Sequence, residues 1–214
     1  MQKRLMTILL SLAMTVTAWG QRLSPVTPTR EVSAREYEVL SAWSADKFTG
    51  RKAQQSAKGV VKIVISETTQ SGDDEGLHDE NGQPIPWEKT AESLRKKAPI
   101  LQQTTIDSFR EVNAQQASLR RSFHLAIDYE LVDSAKSHST FANKGDPWGT
   151  YYKQFPGSQG FLTFSRVGFS PDGRQAFFYV SNTCGGLCGT GTYVVMENSH
   201  GRWMIRKEIV KWVS

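Results

Sequence analysis

Few residues in this 214-residue chain are of the types that do chemistry: four histidines, two cysteines and scattered carboxylates. His78, His124, His138 and His200 are far apart, and none stands beside a recognisable nucleophile motif. Pro156-Gly157-Ser158-Gln159-Gly160 has the outline of the GxSxG elbow of serine hydrolases, but lacks its first glycine and its strand-to-helix context. Asp128 and Glu130 share one face of an alternating stretch, a geometry that can pair carboxylates for acid and base work. Two acids on a solvent face are the simpler reading of that pattern. Asp73, Asp74, Glu75, His78, Asp79 and Glu80 crowd the segment Thr69 to Pro86. A calcium loop needs its ligands at alternate positions and a bidentate Glu at the twelfth, and that register is missing. The expectation is a solvated acidic loop, with no metal and no cofactor.

Cys184 and Cys188 sit in Cys184-Gly185-Gly186-Leu187-Cys188-Gly189-Thr190-Gly191. A phosphate-cradling loop would carry Gly-Lys-Ser/Thr and open a helix, whereas here no Lys occurs and a strand follows. The spacing is also not that of redox or haem motifs, and no second cysteine pair completes a zinc site. A structural disulfide between Cys184 and Cys188 is expected if the compartment is oxidising. Trp148, Tyr151, Tyr152 and Phe155 fall at i, i+3, i+4 and i+7 behind an Asp146-Pro147 helix start. Four rings on one helical face can stack on a sugar or peptide; amphipathic spacing favours packing onto a sheet. They are the possible binding surface visible in the sequence.

The compartment follows from the other end of the chain. Lys3 and Arg4, an apolar run from Leu5 to Val16, and small residues at Ala18 and Gly20 match a secretory signal peptide cleaved after residue 20. A run of about a dozen residues is too short for the roughly 20 that span a bilayer. Twenty residues fewer leaves 194, and losing two cations takes the net charge from +5 to +3. So mild a balance, with no run of five like charges, excludes a nucleic-acid arm.

The elements are read in order. Residues 21–32 form an extended leader, and 33–214 form one α+β domain. Ser33 and Glu36 make a capping box for a helix to Phe48. Val60 to Thr68 is a buried strand, Glu88 to Lys97 a helix, and a second helix capped by Thr104 or Thr105 runs to about Gln116. Phe123 to Leu131 alternates strictly and reads as a strand, and Asp133 to Gly145 as a polar loop. A four-strand C-terminal meander follows. Gly160 to Phe169 turns through Ser170-Pro171-Asp172-Gly173 into Arg174 to Asn182. After the glycine-rich loop come Thr192 to Glu197 and Arg202 to Val213. Neither face of that last strand is apolar: Trp203, Ile205, Lys207, Ile209, Lys211 and Val213 alternate with Met204, Arg206, Glu208, Val210 and Trp212. An edge strand blunted by charge accounts for this. Helices then cover one side of a mainly antiparallel sheet.

The frame Ser165-Arg166-Val167-Gly168-Phe169, then Cys184 to Gly191, with the terminal Trp212-Val213-Ser214, resembles a set of uncharacterised secreted bacterial proteins over residues 105–214. The resemblance implies an exported single-domain protein and brings no activity or catalytic residue with it. Phe169 to Ser181 is similar to one repeat of the propeller proteins of the Tol system, but a propeller needs several blades of about 40 residues and the pattern occurs once. The expected function is therefore that of a non-enzymatic binding or accessory protein of the bacterial envelope, periplasmic or extracellular and not integral to the membrane. The alternative is a small exported hydrolase with unidentified catalytic residues.

Overall fold

The computed structural model describes residues 31–49, 61–71, 83, 85–142 and 145–214. Residues 1–20, expected to be a signal peptide, most of the expected leader and the acidic stretch with His78 lie outside the described residues. Among the described residues five helices and seven strands follow one another as α1 (Ala34–Phe48), β1 (Lys62–Ser66), α2 (Trp87–Lys97), α3 (Gln103–Val112), β2 (Asp128–Val132), α4 (Ser134–Phe141), α5 (Pro147–Gln154), β3 (Ser158–Phe164), β4 (Gly168–Phe169), β5 (Gln175–Gly185), β6 (Cys188–Ser199) and β7 (Arg202–Val213). The strands make one mixed sheet in the order β2-β1-β3-β5-β6-β7, with β4 also paired to β5. β1 is parallel to both β2 and β3, while β3, β5, β6 and β7 pair antiparallel in sequence order.

Alternation along the central strands divides the core. Ile63, Ile65, Leu162, Phe164, Phe178 and Val194 point to one face, where Tyr37, Val39, Leu40 and Trp43 of α1 cover them. Phe177, Tyr179, Tyr193 and Val195 point to the other, under Ala91 and Leu94 of α2 and Ile106 and Phe109 of α3. Val64 and Phe161 on that second face meet Phe141 of α4 and Tyr151 of α5. Helices thus pack on both faces, which corrects the one-sided arrangement expected from sequence. The reason lies in β5, whose run from Gln175 to Val180 is buried at every position and so needs cover on each side. α3 approaches closely because Gly168 has no side chain: a Cβ there would stand 2.3 Å from the Phe109 nitrogen.

Local signals fared well where the chain satisfies itself. Ser33 Oγ accepts from the Glu36 nitrogen and the Glu36 carboxylate accepts from the Ser33 nitrogen, as the capping box predicts. Asp146 caps α5 through the Gly149 nitrogen. At the Ser170–Gly173 turn the Gly173 nitrogen bonds the Ser170 carbonyl, and Gly173 has φ +67°. Four expectations are corrected. α3 starts at Gln103 after Gln102, with no side-chain cap from Thr104 or Thr105. It ends at Val112 because the Asn113 side chain turns to the Phe109 and Arg166 carbonyls. The stretch from Phe123 to Ile127 is irregular, and only Asp128–Val132 is strand. Its apolar residues still alternate inward, but its backbone is held by α1: the His124 nitrogen donates to Ser41 Oγ. Asp133 onward is helix α4, capped by the Asp133 carboxylate on the Lys136 nitrogen.

β7 is an edge strand, as its mixed pattern suggested. Strict alternation fails because its register with β6 shifts twice, once past Arg206 and once past Lys211. Each bulge flips the phase. Trp203 and Ile205 therefore share the α1 face with Glu208, which takes hydrogen bonds from Trp43 Nε1 and Lys47 Nζ, while Ile209 joins the opposite core.

Candidate ligand cleft and aromatic patch

An arginine–glutamate pair fixes the N-terminal end of α1. Glu36 and Arg166 are 3% and 5% exposed, 130 residues apart in sequence. Arg166 donates through Nε and Nη2 to the two carboxylate oxygens at 3.0 and 2.8 Å. The same carboxylate accepts from the Val167 nitrogen and from Ser33. A buried pair of charges is tolerated only with such complete satisfaction. Arg166 also takes Asn113 into the arrangement: its nitrogen donates to Asn113 Oδ1, and Asn113 Nδ2 donates back to its carbonyl.

Asn113 begins an irregular segment running to Ile127 that other elements pin at intervals. The Ala117 nitrogen donates to Thr69 Oγ1, the Arg120 nitrogen to Tyr37 Oη at 2.6 Å, and the His124 nitrogen to Ser41 Oγ. Leu119 and Phe123 anchor it in the core. Between this segment, the last turn of α3 and the start of α1 lies a cleft of about 980 Å³. Among the described residues its wall includes Glu31, Tyr37, Glu111, Arg120, Arg121 and His124, with Arg166 behind. Arg120 pairs with Glu31, while Arg121 lies over the Tyr129 ring and 3.9 Å from Asp128. Burial pushes the Tyr37 hydroxyl up in pKa, opposed by the Arg120 nitrogen bonded to it, so it stays a neutral phenol in the cleft wall. The volume lies within the ligand-pocket range of roughly 300–1,000 Å³.

The residues singled out in the sequence gather elsewhere, at two adjoining places. Tyr151 and Phe155 are buried at 0% and 1%, whereas Trp148 and Tyr152 are half-buried. The aromatic face is thus core at two positions and surface at two. Tyr151 Oη donates to the Gly160 carbonyl at 2.6 Å, and burial raises its pKa far above the usual phenol range. Tyr152 Oη donates to the Cys184 carbonyl at 2.9 Å, which ties the aromatic helix to the cysteine hairpin. Cys184 and Cys188 are disulfide-bonded, with Cα atoms 5.0 Å apart. The glycine-rich stretch is not the loop expected from composition: β5 continues to Gly185, β6 starts at Cys188, and only Gly186 and Leu187 turn. Gly189 and Gly191 are strand residues over which Trp212 lies; a Cβ on Gly191 would stand 2.1 Å from Trp212 Nε1.

Ser158 is buried at the start of β3 with its hydroxyl 3.4 Å from Tyr151 Oη, so it is a packing residue rather than an exposed nucleophile. Glu130 takes hydrogen bonds from Lys136 and Lys62, and the Lys136 bond foremost holds its carboxyl below the usual range. That pairing leaves Asp128 and Glu130 as ionic partners of cations rather than an acid–base couple. His138 lies in the last turn of α4 and His200 in the β6–β7 turn with φ +52°. Among the described residues no cluster of three metal-ligating side chains occurs, and no helix is long and apolar enough to cross a membrane. Sequence reading missed Glu36, Arg120, Arg121 and Arg166 as a group, since nothing local marks residues brought together from so far apart. Comparison with models of protein families, with curated proteins and with solved structures finds no match to this chain.

Proposed function

We propose that the chain is an exported, non-enzymatic binding protein of the bacterial envelope whose cleft holds a small anionic ligand. The observation that carries the reading is the pinned wall from Asn113 to Ile127. An irregular segment held by side chains of α1 and by Thr69 is ordered before any ligand arrives, which lowers the entropy cost of binding. Arg120 and Arg121 on that wall supply guanidinium donors suited to a carboxylate or phosphate group, which would compete with Glu31 and Asp128 for them. The disulfide accords with export, since such bonds persist in oxidising compartments. The same reading takes residues 33–214 as one exported domain.

Two measurements test this. Intact mass of the secreted form should show a start at Gln21 and a loss of two protons reversed by reduction; a species retaining Leu5 to Val16 would refute cleavage. Thermal shift against a panel of carboxylates and phosphates should find a stabilising anion, because a ligand bound to the folded state alone raises the midpoint. Arg121→Ala should abolish that shift while leaving the ligand-free midpoint near that of wild type, given its 67% exposed side chain. A panel that stabilises nothing, or a shift untouched by the substitution, removes the cleft as the site. Recovery of the ligand hydrolysed would favour the exported hydrolase instead.

A further inference from the structure

Two residues of the cleft wall already pair a carboxylate with a guanidinium. Glu31 accepts a hydrogen bond from Arg120 Nη2, and both side chains are exposed, at 68% and 71%. Their backbones are held far more firmly. The Glu31 carbonyl accepts from Arg166 Nη2 at 3.0 Å, so the buried Glu36–Arg166 pair fixes the chain where it approaches α1. On the other side the Arg120 nitrogen donates to Tyr37 Oη, and Leu119 before it is 2% exposed with its nitrogen on the Glu67 carbonyl at 2.7 Å. Two main-chain segments held by buried partners thus present two solvent-exposed side chains to each other at the cleft wall.

A pair of this kind is weak because both groups stay largely in water, and its net contribution corresponds to a closed-to-open ratio between about 1.5 and about 5. An incoming anion of the same chemistry exchanges one charge-assisted contact for another and can displace it. The group now seated on Arg120 is a planar, singly charged carboxylate, so a ligand carboxylate reproduces what the position already accommodates. A phosphate group, carrying about −1.5 to −2 at neutral pH, is less suited. Glu111 stands on the same wall, and repulsion from it grows with the charge of the ligand. The amide and hydroxyl side chains of Gln115, Gln116, Ser118 and Ser122 offer neutral donors and acceptors for the rest of the molecule.

We infer, resting on the reading of the cleft as the ligand site, that Glu31 is a built-in competitor: its carboxylate occupies on Arg120 the place of the carboxylate of the ligand, which must swing Glu31 aside to bind. The ligand is thereby narrowed from an anion to a small carboxylate. Displacement moves a side chain alone, since the Glu31 carbonyl stays with Arg166, and the site opens without disturbing α1. Apparent affinity is lowered by the fraction of molecules in which Glu31 holds Arg120. Removing that carboxylate should strengthen binding by one plus the closed-to-open ratio, roughly two- to sixfold.

The test titrates the exported form separately with lactate, N-acetylglycine and inorganic phosphate, following the unfolding midpoint. The two carboxylates should stabilise at lower concentration than phosphate. In Glu31→Gln their half-saturating concentrations should fall roughly two- to sixfold, and in Arg120→Ala the response should vanish. Both side chains are so exposed that the variants keep the fold, which an unchanged ligand-free midpoint verifies. Glu38→Gln makes the same change of charge on exposed α1 surface away from the cleft wall, and should leave the carboxylate response as in wild type. Unaltered half-saturation in Glu31→Gln overturns the inference, as does an equal gain in Glu38→Gln or tighter binding of phosphate than of either carboxylate; in each of these cases an anion still binds and the cleft reading stands. A midpoint that none of the three anions moves, in wild type or in Glu31→Gln, would remove the cleft as the site and this role of Glu31 with it.

Discussion

Breaking the Glu36–Arg166 pair is the perturbation whose size follows most directly from the geometry. Glu36→Ala removes the acceptor for both Arg166 bonds, for the Val167 nitrogen and for Ser33, and leaves the guanidinium uncompensated in a 5% exposed site. Removing one partner of a buried pair costs about 3–5 kcal/mol, to which the broken capping box adds about 1 kcal/mol. That is a large fraction of a domain stability of about 5–15 kcal/mol. Arg166→Ala should cost a similar amount for the opposite reason, a carboxylate left buried with only neutral donors. Arg166→Lys should rescue little, because one ammonium cannot reproduce the two-pronged contact. The double variant Glu36→Ala/Arg166→Ala buries no lone charge, so its cost should fall short of the sum of the singles by about 2 kcal/mol or more. Urea unfolding followed by tryptophan fluorescence gives the values for all four variants, Trp43 being packed in the same core. A coupling below about 0.5 kcal/mol would refute the claim that the pair acts as a unit fixing α1 to the β3–β4 connection.

Two further outcomes test other parts of the fold. Glu130 is held below the ordinary carboxylate range by Lys136 and Lys62, so its charge adds stability above that range and the contribution is lost as pH falls through the lowered folded value. Glu130→Gln should therefore cost about 1 kcal/mol or less at neutral pH, its side chain being 28% exposed, and the gap from wild type should close in acid; a pH-independent gap would refute the ionic role. In the aromatic helix, Phe155→Ala should cost about 3–5 kcal/mol and half-buried Trp148→Ala distinctly less by chemical denaturation. The reverse order would contradict the division of that face between core and surface.

What the sequence determines by itself is what neighbouring residues settle among themselves. The α1 capping box, the Asp146 cap of α5, the Ser170–Gly173 turn and the short-range disulfide all depend on partners within five residues, so composition and spacing suffice to read them. Tertiary structure decides the rest. Phe123 to Ile127 has the alternation of a strand, yet its His124 nitrogen donates to an α1 side chain rather than to a neighbouring strand, and pattern alone cannot distinguish the two. β7 reads as having no apolar face until two bulges against β6 shift its phase, and bulges are set by the register of a pair rather than by one strand's residues. Beside the cleft, Arg166 and Glu36 meet across 130 residues and Arg166 holds Asn113 at the start of the cleft wall. Contacts at that separation leave no local periodicity, because chain closure rather than neighbouring backbone geometry brings the partners together.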